Sequence, residues 1–282
     1  MGSSSTFPAG RPAWLGRLDR VRNVVRQEVI ARHLARHLPE PPGDVLDVGA
    51  GQGTQALRLA DAGHRILAVE PDAEMRASFT AALSARPDQV RGRVELVAAG
   101  VEDLDRVTRG RQFDVVLLLG VLMYLPSTEP VIAELARHTR PGGIVALAVR
   151  TTTSALWRPA ARQDWAAARA AFDEADLARR EDRDVRYVNE IGSPARADDL
   201  GELLAGAGRH GLELESWYGV RIAVDVEEQD PPAPEDPQVL ADLLDVEERL
   251  GAIDPFRQLG QLALVVLRAP AVTFSASAES SP

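Results

Sequence analysis

Between Val45 and Val149 the chain alternates short apolar runs with amphipathic segments of helical spacing, and this alternation limits the fold more than any other feature. Val45–Val48, Arg65–Val69, Val94–Ala98, Phe113–Leu119 and Ile144–Val149 read as strands, with Phe113–Leu119 short and apolar enough to be fully buried. Thr54–Ala62, Ala73–Arg86 and Thr128–Thr139 read as the helices between them, the last stopped by Pro141, Gly142 and Gly143. Strands that alternate with helices form βαβ units and a mostly parallel sheet. Its crossovers are expected to be right-handed, and ligands to sit at the carboxyl ends of the strands.

Elements flank this unit on both sides. In Ala13–Leu38, the residues Trp14, Leu18, Val21, Val25 and Val29 recur every three or four positions and predict an amphipathic helix, ended by Pro39, Pro41, Pro42 and Gly43. After Arg150 the pattern changes: Thr151–Arg186 is rich in Ala, Arg, Asp and Glu and is expected to form a helical cap. A helix over Ala197–His210 follows. Leu212–Val226 and Leu262–Leu267 then read as closing strands, separated by an acidic, proline-rich segment and a helix over Gln238–Leu250. The organisation expected is a flexible leader at 1–12, one domain at 13–268 and a flexible tail at 269–282. Within the domain, a cap insertion spans about 151–190 and an acidic insertion about 227–259.

Composition excludes several chemistries. The chain has no cysteine, so disulfides, thiolate metal sites and cysteine nucleophiles are ruled out. No apolar run approaches the roughly 20 residues needed to cross a bilayer, and Met1–Gly10 lacks the charge pattern of a secretory signal. A cytoplasmic protein without membrane association is expected. The net charge of −10 is concentrated between Ile222 and Glu248, where acidic residues occur without a basic one. Arg11–His37, by contrast, is rich in arginine, and this separation keeps a nucleic-acid partner open despite the acidic balance.

The strongest local signal is Asp47-Val48-Gly49-Ala50-Gly51-Gln52-Gly53-Thr54, which leaves a strand and opens a helix. Glycines there allow a sharp turn and a close approach of ligand to backbone. The spacing fails the dinucleotide fingerprint, and Asp47 would repel a pyrophosphate but suits a cation. The second strand ends in Glu70-Pro71-Asp72, where a carboxylate can accept both hydroxyls of a ribose. After the third, Gly100-Val101-Glu102-Asp103 offers an apolar residue and an acid to an adenine.

Together these residues resemble the class I S-adenosylmethionine-dependent methyltransferases, over roughly Gly43–Arg150. The resemblance implies a Rossmann-like αβα sandwich: a mostly parallel seven-stranded sheet with an antiparallel last strand, plus the helical cap. It implies S-adenosyl-L-methionine as cofactor, held by Asp47, Gly49, Gly51, Gly53, Glu70, Pro71, Val101, Glu102 and Gly120, with Met75 packing near the adenine. Gly219-Val220-Arg221, the segment Leu244–Leu250, and Asp254–Gly260 look like the methyltransferase that esterifies 5-carboxymethoxyuridine in tRNA. Val25-Arg26-Gln27-Glu28-Val29 is similar to that branch too, and implies that Arg26 lies near the cofactor carboxylate. The cap departs from the tRNA enzyme in detail.

Methyl transfer from a sulfonium is an in-line displacement, so holding the reactants in line is the main task. A carboxylate acceptor needs no general base, whereas a hydroxyl would. No histidine suggests itself as a base. His33 and His37 share a helix face and read as surface residues, His64 precedes the second strand, His138 ends a helix on the far side of the sheet, and His210 caps a helix. No metal site is expected. The shortage of bases favours an acidic acceptor gripped by arginine, with Arg26, Arg150, Arg158 and Arg221 as candidates. Tyr124 and Trp157 are expected to wall the acceptor pocket, while Trp165 and Phe172 at helical spacing read as core. The leading expectation is O-methylation of a small molecule, a carboxylate among the options. The alternatives are methyl-esterification of tRNA wobble uridine and a cofactor-binding regulator without catalysis. The acceptor and the oligomeric state are not legible.

Overall fold

The computed structural model describes residues 10–226 and 229–271; the leader up to residue 9, Glu227 and Glu228, and the tail from residue 272 lie outside it. Seven strands form one sheet: β1 (Asp44–Val48), β2 (Arg65–Val69), β3 (Val94–Val97), β4 (Phe113–Leu119), β5 (Thr139–Val149), β8 (Glu213–Val220) and β9 (Leu262–Arg268). Their order is β3-β2-β1-β4-β5-β9-β8. The pairs β1–β2, β1–β4, β2–β3 and β4–β5 are parallel. The last strand, β9, runs antiparallel to both of its neighbours, β5 and β8.

The continuous apolar runs are explained by cover on both faces. Alternate residues of β4, Val115 and Leu117, join a core with α2 (Val21–Ala35), α3 (Thr54–Asp61) and α11 (Pro237–Ala252). Val116 and Leu118 join the opposite core with α6 (Leu104–Thr108), α7 (Glu129–Arg137) and α10 (Leu200–Arg209). The chain steps outward from β1 to β3, then returns to place β4 on the other side of β1. A crevice opens at that reversal, at the carboxyl ends of the strands, as expected for an open α/β sheet.

Three segments differ from the sequence reading. The helix expected over Ala13–Leu38 is divided into α1 (Arg11–Leu15) and α2, with Gly16 at the C-cap of the first. Arg11 and Pro12, assigned to the leader, begin α1, and Arg11 pairs with Asp72 and Glu74 at 2.5 and 2.6 Å. The cap holds α8 (Thr152–Ala161) and α9 (Trp165–Arg180), but then an antiparallel hairpin, β6 (Val185–Val188) with β7 (Pro194–Ala197), which sequence reading missed. The closing strand β8 stops at Val220 because Arg221 adopts a left-handed conformation, φ 62°. The chain beyond it is held by Glu247 of α11, whose buried carboxylate accepts from the N–H groups of Ile222, Ala223 and Val224 at 2.8, 2.8 and 2.9 Å.

The arginine-rich N-terminal helix and the acidic C-terminal segment meet. Arg22 lies 2.9 Å from Asp225, its N–H donates to Asp230, and Arg20 forms a bridge with Pro232. Arg32 and Arg36 both pair with Glu248. Part of the charge that the sequence separates is therefore paired across the fold, Arg22 with Asp225 and Arg32 and Arg36 with Glu248.

Candidate functional site

The loop between β1 and α3 is shaped by glycines in the left-handed region: φ is 70° at Gly49, 59° at Gly51 and 84° at Gly53. Glu70, at the tip of β2, closes the loop from below. One carboxylate oxygen accepts Gly51 N–H at 2.8 Å and the other accepts Asp72 N–H at 2.8 Å. Burial pushes the Glu70 carboxyl upward, and these two N–H donors oppose that shift.

A cavity of about 790 Å³ opens against this loop and runs over the tips of β4 and β5 to the cap. That volume lies toward the upper end for a small-ligand pocket and leaves room for two molecules side by side. Asp47, Gly49, Gly51, Glu70, Pro71 and Met75 line it. So do Val101, Glu102, Gly120 and Arg26. Gly53 does not: a Cβ there would lie 2.4 Å from the Phe79 ring, so its role is packing of the loop against α4 (Ala73–Ser84).

Among the buried charges that face this cavity, Asp47 and Arg26 have no direct partner of opposite sign. Asp47 is 3 % exposed, no described residue donates to its carboxylate, and burial with the neighbouring Glu70 pushes it up to about 7. Arg26 is desolvated enough to lower it to about 10. Its Nη2 donates to the Leu119 carbonyl at 3.1 Å and its Nε is buried without a partner. Trp14 of α1 covers that guanidinium at 4.8 Å from the ring centroid and donates from Nε1 to the Gln52 side chain. An unpaired buried acid and an unpaired buried cation fit the ammonium and carboxylate of an amino-acid ligand, with Glu70 placed for a ribose. Trp14 was not anticipated, because nothing local in an arginine-rich stretch marks which aromatic will fold over a pocket.

The acceptor-side expectations divide. Tyr124 lines the cavity, its hydroxyl accepts from Asn189 Nδ2 at 2.9 Å, and burial raises its pKa to about 12. Arg150, Arg158 and Arg221 also line it. Arg221 is committed to Glu190 at 2.9 and 3.0 Å and to Asp225 at 2.8 Å. Arg158 donates to the carbonyls of Arg221, Ile222 and Leu259. Trp157 is a correction: it is 36 % exposed and not among the lining residues. Its place as an aromatic wall is taken by Tyr187 of the unforeseen hairpin. Trp165 and Phe172 are likewise exposed rather than core, because α9 packs through its alanines, Ala168, Ala175 and Ala178.

None of the five histidines lines the cavity. His33, expected at the surface, is fully buried and stacks on Tyr218 at 3.9 Å between ring centroids. His64 and His138 are buried too, away from the strand tips, since tertiary packing closes over helix ends that look open in sequence.

Residues 46–147, which hold the glycine loop, Glu70 and the tips of β2 to β4, match the family model described as a methyltransferase domain. No curated protein sequence matches the chain significantly. Solved structures share its fold. The 1,6-didemethyltoxoflavin-N1-methyltransferase of Burkholderia thailandensis, solved with its substrate and S-adenosylhomocysteine, is 18 % identical, TM-score 0.54, covering 94 % of this chain and 84 % of its own. An S-adenosylmethionine-dependent methyltransferase of Mesorhizobium loti is 16 % identical, TM-score 0.51, with coverages of 84 % and 96 %. The glycopeptide N-methyltransferase MtfA is 16 % identical, TM-score 0.52, with coverages of 86 % and 90 %. At these identities the likeness concerns the fold.

Proposed function

We propose that this S-adenosylmethionine-dependent methyltransferase transfers its methyl group to an oxygen of a small-molecule acceptor, a carboxylate. The observation that carries the reading is the chemistry of the acceptor half of the cavity, which holds arginines, phenols and no histidine, while its carboxylates Glu190 and Asp164 already accept from Arg221 and from the Ala167 N–H. Burial holds Tyr124 at about 12 and raises Tyr187 further, so both phenols stay protonated at neutral pH. Burial would raise Glu190 as well, but the Arg221 guanidinium overrides it and holds the carboxyl well below the usual range. A carboxylate so stabilised takes up no proton from an acceptor.

A hydroxyl acceptor would therefore have to give its proton to a carboxylate that is already engaged, whereas a carboxylate is a nucleophile as it stands. Asp47, Arg26 and Glu70 would hold the cofactor, whose sulfonium would supply the methyl group. A carboxylate oxygen would bond to the methyl carbon as the carbon–sulfur bond breaks, sulfur would keep the electron pair, and no residue would need to move a proton. The attack joins an anion to a cation and disperses charge, which a dry pocket favours.

The pairing of Arg22 with Asp225 and of Arg32 and Arg36 with Glu248 supports a small molecule over tRNA, since those cations are engaged within the protein. The test uses methyl-labelled S-adenosylmethionine with purified protein and cell extract, separated into RNA and small-molecule fractions. Label in the small-molecule fraction that mild alkali releases as methanol is expected, because esters hydrolyse there and ethers and N-methyl groups do not. Alkali-stable label would overturn the carboxylate reading, label in RNA would return the tRNA enzyme, and binding without turnover would favour the non-catalytic regulator.

A further inference from the structure

We infer that Arg150 is the counter-ion of the acceptor's carboxylate, and that the acceptor is a small carboxylic acid with an apolar body. The inference rests on the methyltransferase reading above and names the substrate class for the same cavity. It follows from asking what each buried guanidinium of the cavity is already bound to. Arg221 is satisfied by Glu190 and Asp225. Arg158 has no carboxylate partner and its Nε is buried without an acceptor, but both of its Nη atoms are taken up by the carbonyls of Ile222, Arg221 and Leu259. Arg162 pairs with Asp225 at 3.2 Å. Arg26 stands at the tip of β4 beneath Trp14, on the cofactor side.

Arg150 is the remaining one: no carboxylate among the described residues forms a direct ion pair with it, Asp225 and Glu190 acting on it only at longer range, and its guanidinium is the least engaged of the set. It follows the last residue of β5, is 7 % exposed and lines the cavity. Its one described hydrogen bond goes to the Ser154 carbonyl at 3.3 Å, and its Nε is buried with no partner. The Tyr187 ring lies 5.1 Å from the guanidinium carbon and holds the plane in place. A guanidinium stays charged in a protein, so burying it without an anion is costly unless a ligand supplies one. Two cations without a direct ion pair thus stand at the tips of adjacent strands, Arg26 reaching from α2 to the tip of β4 and Arg150 following β5, and two carboxylates answer them: the cofactor's and the acceptor's.

The rest of the wall specifies the body of the acceptor. Met123, Pro159, Ile191 and Leu262 face the same space with Tyr124 and Tyr187, which suits an apolar chain or ring behind the carboxylate. If Arg150 holds one carboxylate oxygen, the other is free to take the methyl group. The ester formed is neutral, so the ion pair with Arg150 is lost on transfer and the product is released more readily than the acid is held.

The test loads the full protein with S-adenosylhomocysteine and titrates it calorimetrically with benzoate, phenylacetate and hexanoate, each against its amide and methyl ester. At least one acid is expected to bind, with its amide and ester weaker by roughly tenfold or more, the size of a lost charge-assisted hydrogen bond. Arg150→Met is expected to weaken the acid by the same factor and leave the neutral analogues unaffected. Retained S-adenosylhomocysteine binding shows that the variant is folded; should it not fold, the acid-to-amide comparison on the unaltered protein decides. Equal binding of acid, amide and ester overturns the inference, as does an Arg150→Met variant that holds the acid normally, or an absence of binding by all three acids. Failure of the unaltered protein to bind S-adenosylhomocysteine would instead overturn the methyltransferase reading beneath it.

Discussion

Glu70 and Gly51 are joined by a 2.8 Å hydrogen bond from the glycine's backbone N–H to the carboxylate, so the residue at the tip of β2 also sets the shape of the loop after β1. Its other oxygen is held by Asp72 N–H, and the carboxylate is oriented before any ligand arrives. Glu70→Ala is expected to weaken cofactor binding by at least ~1.5 kcal/mol, through lost charge-assisted hydrogen bonds and a loosened loop. Calorimetry with S-adenosylhomocysteine measures it, and unchanged affinity would remove Glu70 from the site.

Cofactor affinity should depend on pH through Asp47. Burial, with the charge of Glu70, pushes its carboxyl up to about 7, and only the ionised form pairs with an ammonium. Below that value each unit of pH is expected to cost up to roughly tenfold in affinity, levelling off near pH 8. The same shift acts oppositely on the empty fold. The folded state keeps a proton that the unfolded chain releases, so this contribution to stability is lost as pH rises from the ordinary carboxylate range through 7. A flat affinity profile between pH 6 and 8, matching that of Asp47→Asn, would sink the assignment.

Gly51 and Gly53 should respond differently to substitution. Both have positive φ, but a Cβ on Gly51 meets only the end of the flexible Met75 side chain, at 3.3 Å, whereas one on Gly53 enters the Phe79 ring. Gly51→Val is expected to abolish cofactor binding while the sheet stays folded. Gly53→Val is expected to destabilise the protein as well, by about 2 kcal/mol or more from left-handed strain and overpacking. Urea unfolding alongside ligand titration separates the two effects; equal stability of the two variants would contradict the packing role of Gly53.

Glu247→Ala should be among the more damaging single changes away from the cavity. It strips three N–H groups of their acceptor, that of Ile222 buried and those of Ala223 and Val224 partly so, and the segment they belong to carries Arg221 and Asp225. A loss of roughly 3 kcal/mol or more in unfolding free energy is expected. A loss below ~1 kcal/mol would mean that water replaces the carboxylate without difficulty.

Much of this protein was legible from neighbouring residues alone. The parallel sheet, the glycine loop and the two acids Asp47 and Glu70 that line the cavity beside it are each written into short stretches, because strand and helix periodicity and strand–turn–helix geometry act over a few residues at a time. The hairpin that brings Tyr187, Asn189 and Glu190 over the cavity was hidden because its strands are short and follow a long helical composition. What tertiary structure alone decided is the pairing of charges. The sequence offers several arginines of equal standing, and which are occupied depends on partners such as Asp225 for Arg22, more than two hundred positions away. Attraction between side chains depends on distance in space and on burial, and neither has a local trace in the chain. Folding engaged Arg221 with Glu190 and Asp225, Arg158 with backbone carbonyls, and Arg22, Arg32 and Arg36 with Asp225 and Glu248, and left Arg26 and Arg150 facing the cavity without a direct ion pair.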